Sequence, residues 1–183
     1  MKLLRILNRQ KTRLVNVVFI RRVIACLLQD LVKLDGYELA VHLVEPSEMM
    51  RLNETFLGHE GSTDVITFDN SESGTGIHGA RGSGNRQTGG LPHKDAAELC
   101  GEIFISVADA AGYARTFRST WQSEVARYVV HGVLHLRGYD DIEPGLRRVM
   151  KRQENRLLKA LAVKFDLSQF ERLQGHPKVN ETK

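Results

Sequence analysis

Cysteine is scarce in this sequence: 183 residues contain two, Cys26 and Cys100. Both lie in apolar surroundings without CxxC spacing, which argues against a disulfide framework and for reduced, structural thiols. Long hydrophobic runs are missing as well. A membrane helix needs about 20 consecutive apolar residues, and Leu14 to Leu28 is interrupted by Arg21 and Arg22. No acid occurs before Glu38 except Asp30 and Asp35, and the first 22 positions carry Lys2, Arg5, Arg9, Lys11, Arg13, Arg21 and Arg22. Such a stretch superficially resembles a targeting segment. Leu3 to Leu7 nevertheless reads as a short strand and Asn16 as the cap of a following helix, so the segment has a structural use. With 42% hydrophobic and 26% charged residues, neither disorder nor a fibrous fold is suggested. The expectation is one cytoplasmic, soluble domain spanning 1–183.

The net charge of +4 permits an anionic partner without demanding one. A second basic cluster is made by Arg147, Arg148, Lys151, Arg152, Arg156 and Lys159, relieved mainly by Glu154. A solvated helix face and a phosphate-binding one both remain open for it.

Periodicity organises the rest. Val17 to Leu34 has the spacing of a buried helix face, broken at Gly36. Tyr37 to Val44 alternates, with Leu39, Val41 and Leu43 on one face. Pro46 suits a first helical position, and Met49, Leu52 and Phe56 recur at helical intervals up to Gly58. Thr63 to Phe68 and Glu102 to Ser106 are β-branched and aromatic enough for strands. Between them, Ser71 to Pro92 holds seven glycines and almost nothing apolar, which predicts a mobile surface insert. Arg81, Arg86, His93 and Lys94 within or beside it could brush a nucleic acid. Helices are predicted from Val107 to near Arg118, from Trp121 to Leu136 and from Glu143 to Ala162, with a fraying tail after 173. The fold class is α+β: a single mixed β-sheet with helices packed on it and the metal-site helix in the cleft.

The chemistry concentrates in His131-Gly-Val-Leu-His135-Leu-Arg-Gly138-Tyr-Asp-Asp141. Histidines four apart on a helix lie one turn above each other, so both imidazoles reach one ion. Gly138 can take the left-handed conformation that closes the helix, and the returning chain lets Asp141 supply a third ligand. Three protein ligands leave one coordination position for water, as in catalytic zinc sites. By chance the four-position pattern arises in roughly one chain in several thousand of this size. Metzincin peptidases share the spacing but use the Glu after the first His as general base. Gly132 stands there instead, so a peptidase on this site would lack its proton acceptor.

The segment from His131 to Asp140 resembles the signature HGxLHLxGYDH of the YbeY family of metal-dependent endoribonucleases. Leu52-Asn53 with Phe56, and Thr63 to Phe68, look like that family's LN-x-x-[FY]-R-G and TDVLSF segments. Leu99 to Ile103 is similar to its LGDI strand, and Met150 with Gln153-Glu154 to its C-terminal helix. The resemblance runs from about Leu3 to Leu161 and implies single-strand-directed endoribonuclease activity in ribosomal RNA maturation and ribosome quality control. It also implies one metal ion, with zinc expected, ribosomal RNA and the ribosome as partners, and no membrane. Two positions depart from the pattern. Asp141 replaces a histidine, which keeps a ligand but adds negative charge at the ion. Leu57 replaces an arginine able to grip a phosphate; Arg118, Arg137 or a lysine from the glycine-rich loop could stand in for it. Asp140 is expected to accept from a ligand imidazole, and Glu102 is a candidate distant base if its strand edges the cleft. A metallohydrolase of another substrate, or a non-catalytic metal-containing protein of the ribosome, stays open as an alternative.

Overall fold

The structure is a computed structural model that describes residues 1–71, 76–79 and 98–172. Five strands form one sheet in the order β1-β2-β5-β3-β4: β1 (Lys2–Asn8), β2 (Gly36–Val44), β3 (Val65–Asp69), β4 (Gly76–Gly79) and β5 (Glu98–Ser106). β1, β2 and β5 are parallel, whereas β3 runs antiparallel to both β5 and β4. The mixed sheet with helices packed on it is the expected α+β architecture.

Helices α1 (Val17–Cys26), α3 (Val107–Phe117), α4 (Trp121–Leu136) and α5 (Pro144–Lys164) build the layer on one side. Their apolar faces meet Leu39, Val41 and Leu43 of β2 and Leu99, Ile103 and Ile105 of β5, all buried. The alternation legible in β2 is therefore the alternation of the sheet. α2 (Pro46–Leu52) lies over part of the reverse face, where Val44, Met49 and Ile66 make a smaller core. α1 begins as predicted, since Asn16 Oδ1 accepts from the Phe19 amide at 3.1 Å and covers a donor that the helix leaves unpaired. Both α1 and α2 run on into single π-helical turns, Leu27–Leu31 and Asn53–Leu57. Periodicity does not separate such a turn from the helix it extends.

Two glycines let α4 press onto the sheet. A Cβ on Gly132 would stand 2.8 Å from Ile103 Cδ1, and one on Gly101 would stand 2.5 Å from the Phe68 carbonyl and 2.6 Å from Leu136 Cδ2. Contacts that close leave room only for hydrogen.

Of the insert expected to be mobile over 71–92, the described residues are 71 and 76–79, and Gly76–Gly79 forms β4, which pairs in register with Ile66 to Asp69. Arg81, Arg86, His93 and Lys94, and the tail after 173, lie outside the described residues. Immediately before that tail, Leu167–Phe170 forms a short 3₁₀ turn whose Phe170 is buried, and Val15 bridges Glu171. No helix among the described residues is long and apolar enough to cross a membrane.

Candidate metal centre

α4 holds His131 and His135 rigidly because it is buried along most of its length. Thr120 caps its start, accepting from the Ser123 amide at 3.2 Å. Its end follows the sequence expectation: Gly138 adopts φ +81°, and the Tyr139 amide returns to the Leu134 carbonyl at 3.0 Å. That hydrogen-bond pattern is a Schellman closure. The chain then doubles back, and Arg147 at the start of α5 clamps it by donating to the carbonyls of Asp141 at 2.7 Å and Ile142 at 3.0 Å.

The result is a compact donor set. One ligand atom each from His131, His135 and Asp141 lies within 4.8 Å of the others. His131 Nε2 and His135 Nε2 are 3.0 Å apart, and the Asp141 carboxylate is 3.9 Å and 3.8 Å from them. Ligands around a tetrahedral zinc at ~2.0–2.1 Å stand about 3.3 Å apart, so the nitrogen pair and the nearby carboxylate have the dimensions for one ion.

Proton placement sharpens the fit. His131 Nδ1 faces Glu154 Oε2 at 3.3 Å, and His135 Nδ1 faces the Tyr139 carbonyl at 3.1 Å. Carboxylates and carbonyls only accept, so in the neutral rings both Nδ1 atoms carry hydrogen and both Nε2 atoms present lone pairs. Two lone pairs at 3.0 Å repel unless a cation lies between them. The arrangement therefore suits a positive ion, with the outer partners fixing the tautomer that ligation needs.

Glu154 is the residue whose role the sequence left unread. It sits on α5, 4% exposed, and also accepts from Arg127 Nη1 at 2.6 Å and Lys151 Nζ at 2.7 Å. Burial alone would raise its carboxyl, but hydrogen bonds from His131, Lys151 and Arg127 outweigh that and hold it at about 2. Asp64, at the head of β3, is a second such residue. Burial pushes its carboxyl up despite hydrogen bonds from Thr63 and Val65 and the nearby charge of His131. The Tyr128 hydroxyl, itself raised chiefly by burial, bonds to it from α4.

Other sequence expectations are redistributed. Asp140 accepts from the Ile142 amide at 3.1 Å and shapes the turn, while Glu154 and the Tyr139 carbonyl face the Nδ1 atoms of the two imidazoles. Glu102 is not brought to the cluster. Gly101 and Ile103 face α4, so Glu102 between them points to the reverse side of the sheet, where it accepts from His42 Nε2 at 2.7 Å. Leu57 packs against the small core of Val44, Met49 and Ile66. Of the suggested substitutes for the missing arginine, Arg118 ends α3 in a left-handed conformation and Arg137 reaches the Val32 carbonyl. Gly132 faces Ile103, which explains on packing grounds why the peptidase glutamate has no counterpart.

The endoribonuclease YbeY family model matches residues 5–162. The chain belongs to the YbeY family. A relative from Salinibacter ruber, an endoribonuclease YbeY, is 31% identical over 137 residues, covering 73% of this chain and 78% of its own. A YbeY from Gloeobacter violaceus is 33% identical over 139 residues, 76% of this chain and 64% of the relative. The solution structure of a Thermotoga maritima protein superposes with a TM-score of 0.57 at 25% identity, covering 88% of this chain and 91% of that one. The matched span includes every member of the histidine and carboxylate cluster. YbeY proteins are hydrolases of RNA by name, and in this member the cluster is a donor set that could hold a metal ion.

Proposed function

We propose that this protein is a zinc-dependent, single-strand-directed endoribonuclease acting in ribosomal RNA maturation and ribosome quality control, with His131, His135 and Asp141 as the metal ligands. The observation that carries the reading is the pair of Nε2 lone pairs 3.0 Å apart, fixed by Glu154 and Tyr139 from behind. When bound, a divalent ion supplies Lewis acidity toward a phosphoryl oxygen and makes an attacking water more acidic.

The protein's own part is positional. α4 and the Gly138 turn set the three donors, and Arg147 holds the backbone of the third. His131 and Asp141 are 15% and 28% exposed at their side chains, so a substrate can reach the site from the side of the returning loop. Asp64 lies within electrostatic reach of His131, and burial holds its carboxyl above the ordinary range. Neither Gly132 nor Glu102 offers a base at the cluster, which disfavours a peptidase. Action on ribosomal RNA implies a cytoplasmic protein with the ribosome as partner.

The test is purified protein, assayed for metal by mass spectrometry and then offered a single-stranded ribosomal RNA fragment and a peptide substrate. Stoichiometric metal with RNA cleavage alone supports the proposal. Peptide cleavage would replace it by a metallohydrolase of another class, and metal without either activity by a non-catalytic ribosome-associated role.

A further inference from the structure

α5 has two faces of opposite character. Its buried residues, Met150, Glu154, Leu157 and Leu161, are spaced four, three and four apart. Arg148, Arg152, Arg156 and Lys159 follow the spacing four, four and three, and all four are exposed. At about 100° per residue the second set falls in one sector centred about 180° from the first. Glu154 is the one acid between Pro144 and Lys164 in the sequence, and it is buried beside His131, so no acid shares the cationic sector. Among the described residues none of the four is ion-paired, and Arg156 donates only to the neutral Gln153 Oε1 at 2.9 Å. A merely solvated helix face is ordinarily relieved by acids at i, i+4, and like charges at that spacing repel. Here four cations follow one another about 6 Å apart with no acid paired to them among the described residues.

The same helix is tied to the metal centre at its other flank. Arg147 holds the Asp141 and Ile142 carbonyls, and Lys151 reaches the carboxylate that orients His131. The stripe is thus rigidly joined to the site yet faces away from it.

We propose that the outward stripe of α5, Arg148, Arg152, Arg156 and Lys159, is a second RNA-contacting surface that grips the phosphate backbone of a structured RNA while its single-stranded segment reaches the metal centre. The assignment rests on the endoribonuclease reading and adds to it a place where the substrate's folded part is held. Charge complementarity selects the occupant: the stripe needs a polyanion, and three of its four members are arginines, whose planar forks pair with phosphate bidentately. The sector otherwise holds Gly145, Val149, Asn155 and Val163 and no aromatic residue. With no aromatic platform for bases, the surface reads backbone and not sequence.

The experiment replaces all four residues by Gln, which keeps helix propensity and removes charge. Parent and variant are compared on a structured ribosomal RNA fragment with a single-stranded tail, and on an oligonucleotide of the tail alone. For the structured RNA the variant should bind at least tenfold more weakly at low salt, with a log affinity against log salt slope shallower by about 3. Its metal content and its cleavage of the oligonucleotide should equal the parent's. Unchanged affinity and slope for the structured RNA would overturn the proposal, as would polyglutamate competing for the parent as well as RNA of equal charge, since the surface would then suit an acidic protein. Failure of the parent to cut either RNA would count against the endoribonuclease reading, and the binding slopes would still decide the stripe.

Discussion

Glu154 is the residue on which the ligand geometry leans most, and replacing it gives a calculable outcome. Its carboxylate takes donors from His131 at 3.3 Å, Arg127 at 2.6 Å and Lys151 at 2.7 Å, with 5% of its side chain exposed. In Glu154→Leu the His131 Nδ1–H loses its acceptor, so the ring can change tautomer or rotate before an ion arrives. Loss of such an outer partner lowers metal affinity by about 10- to 100-fold, equivalent to about 1.4–2.8 kcal/mol. Stability suffers separately. Breaking a wholly buried ion pair costs about 3–5 kcal/mol, but Arg127 and Lys151 are 32% and 55% exposed and water can take their freed donors. A loss of about 2 kcal/mol in the metal-free protein is the reasonable expectation, lying below that range. Glu154→Gln keeps the shape and one acceptor oxygen, so its affinity should fall by no more than about tenfold. Competition of zinc between the protein and a chromophoric chelator measures the affinity, and urea denaturation of the stripped protein measures the stability. A folded Glu154→Leu protein that binds zinc as tightly as the parent would show that His131 does not depend on this carboxylate.

Further outcomes follow from the same geometry. Asp141→Ala should lose stoichiometric metal in the same mass-spectrometric assay in which Asp140→Ala retains it; the reverse pattern would reassign the third ligand to the neighbouring aspartate. Gly132→Ala should destabilise by about 1–3 kcal/mol in urea, because its new Cβ meets Ile103 at 2.8 Å and the core there has no slack. Glu154 lies at about 2 in the fold against 4.5 ordinarily, so it contributes stability above pH ~4.5 that is lost as pH falls toward ~2, at most about 3 kcal/mol. An acid titration of Glu154→Gln should lack that component, and identical acid limbs for the two proteins would contradict it.

Elements with clear periodicity were legible, and what escaped did so for physical reasons. α4 spans Trp121–Leu136 as its pattern predicts, because it is amphipathic, capped by Thr120 and ended by Gly138, all local signals. β4 gives no such signal, since Gly76–Gly79 is a strand through its backbone pairing with β3. The three candidate ligands were readable because they sit within 11 residues on one helix and its return turn. Glu154 lies 23 residues beyond His131, and only the packing of α5 on α4 joins them. Glu102 looked available as a base, yet strand parity sends it to the other face with His42, a decision made by which face α4 covers. Position 57 shows the same limit: in sequence it stands where the resemblance places an arginine, but Leu57 packs into the apolar cluster beside the π-helical turn.

We propose that the His131, His135 and Asp141 cluster holds the ion on which endoribonuclease activity depends. The most direct test is single-turnover cleavage of a single-stranded ribosomal RNA fragment by the loaded protein, the chelator-stripped protein, the stripped protein given back one equivalent of zinc, and His135→Ala. Cleavage should be present in the first, absent in the second, restored in the third and absent in the fourth, with circular dichroism unchanged throughout. Equal cleavage before and after stripping, or by His135→Ala, would contradict the claim.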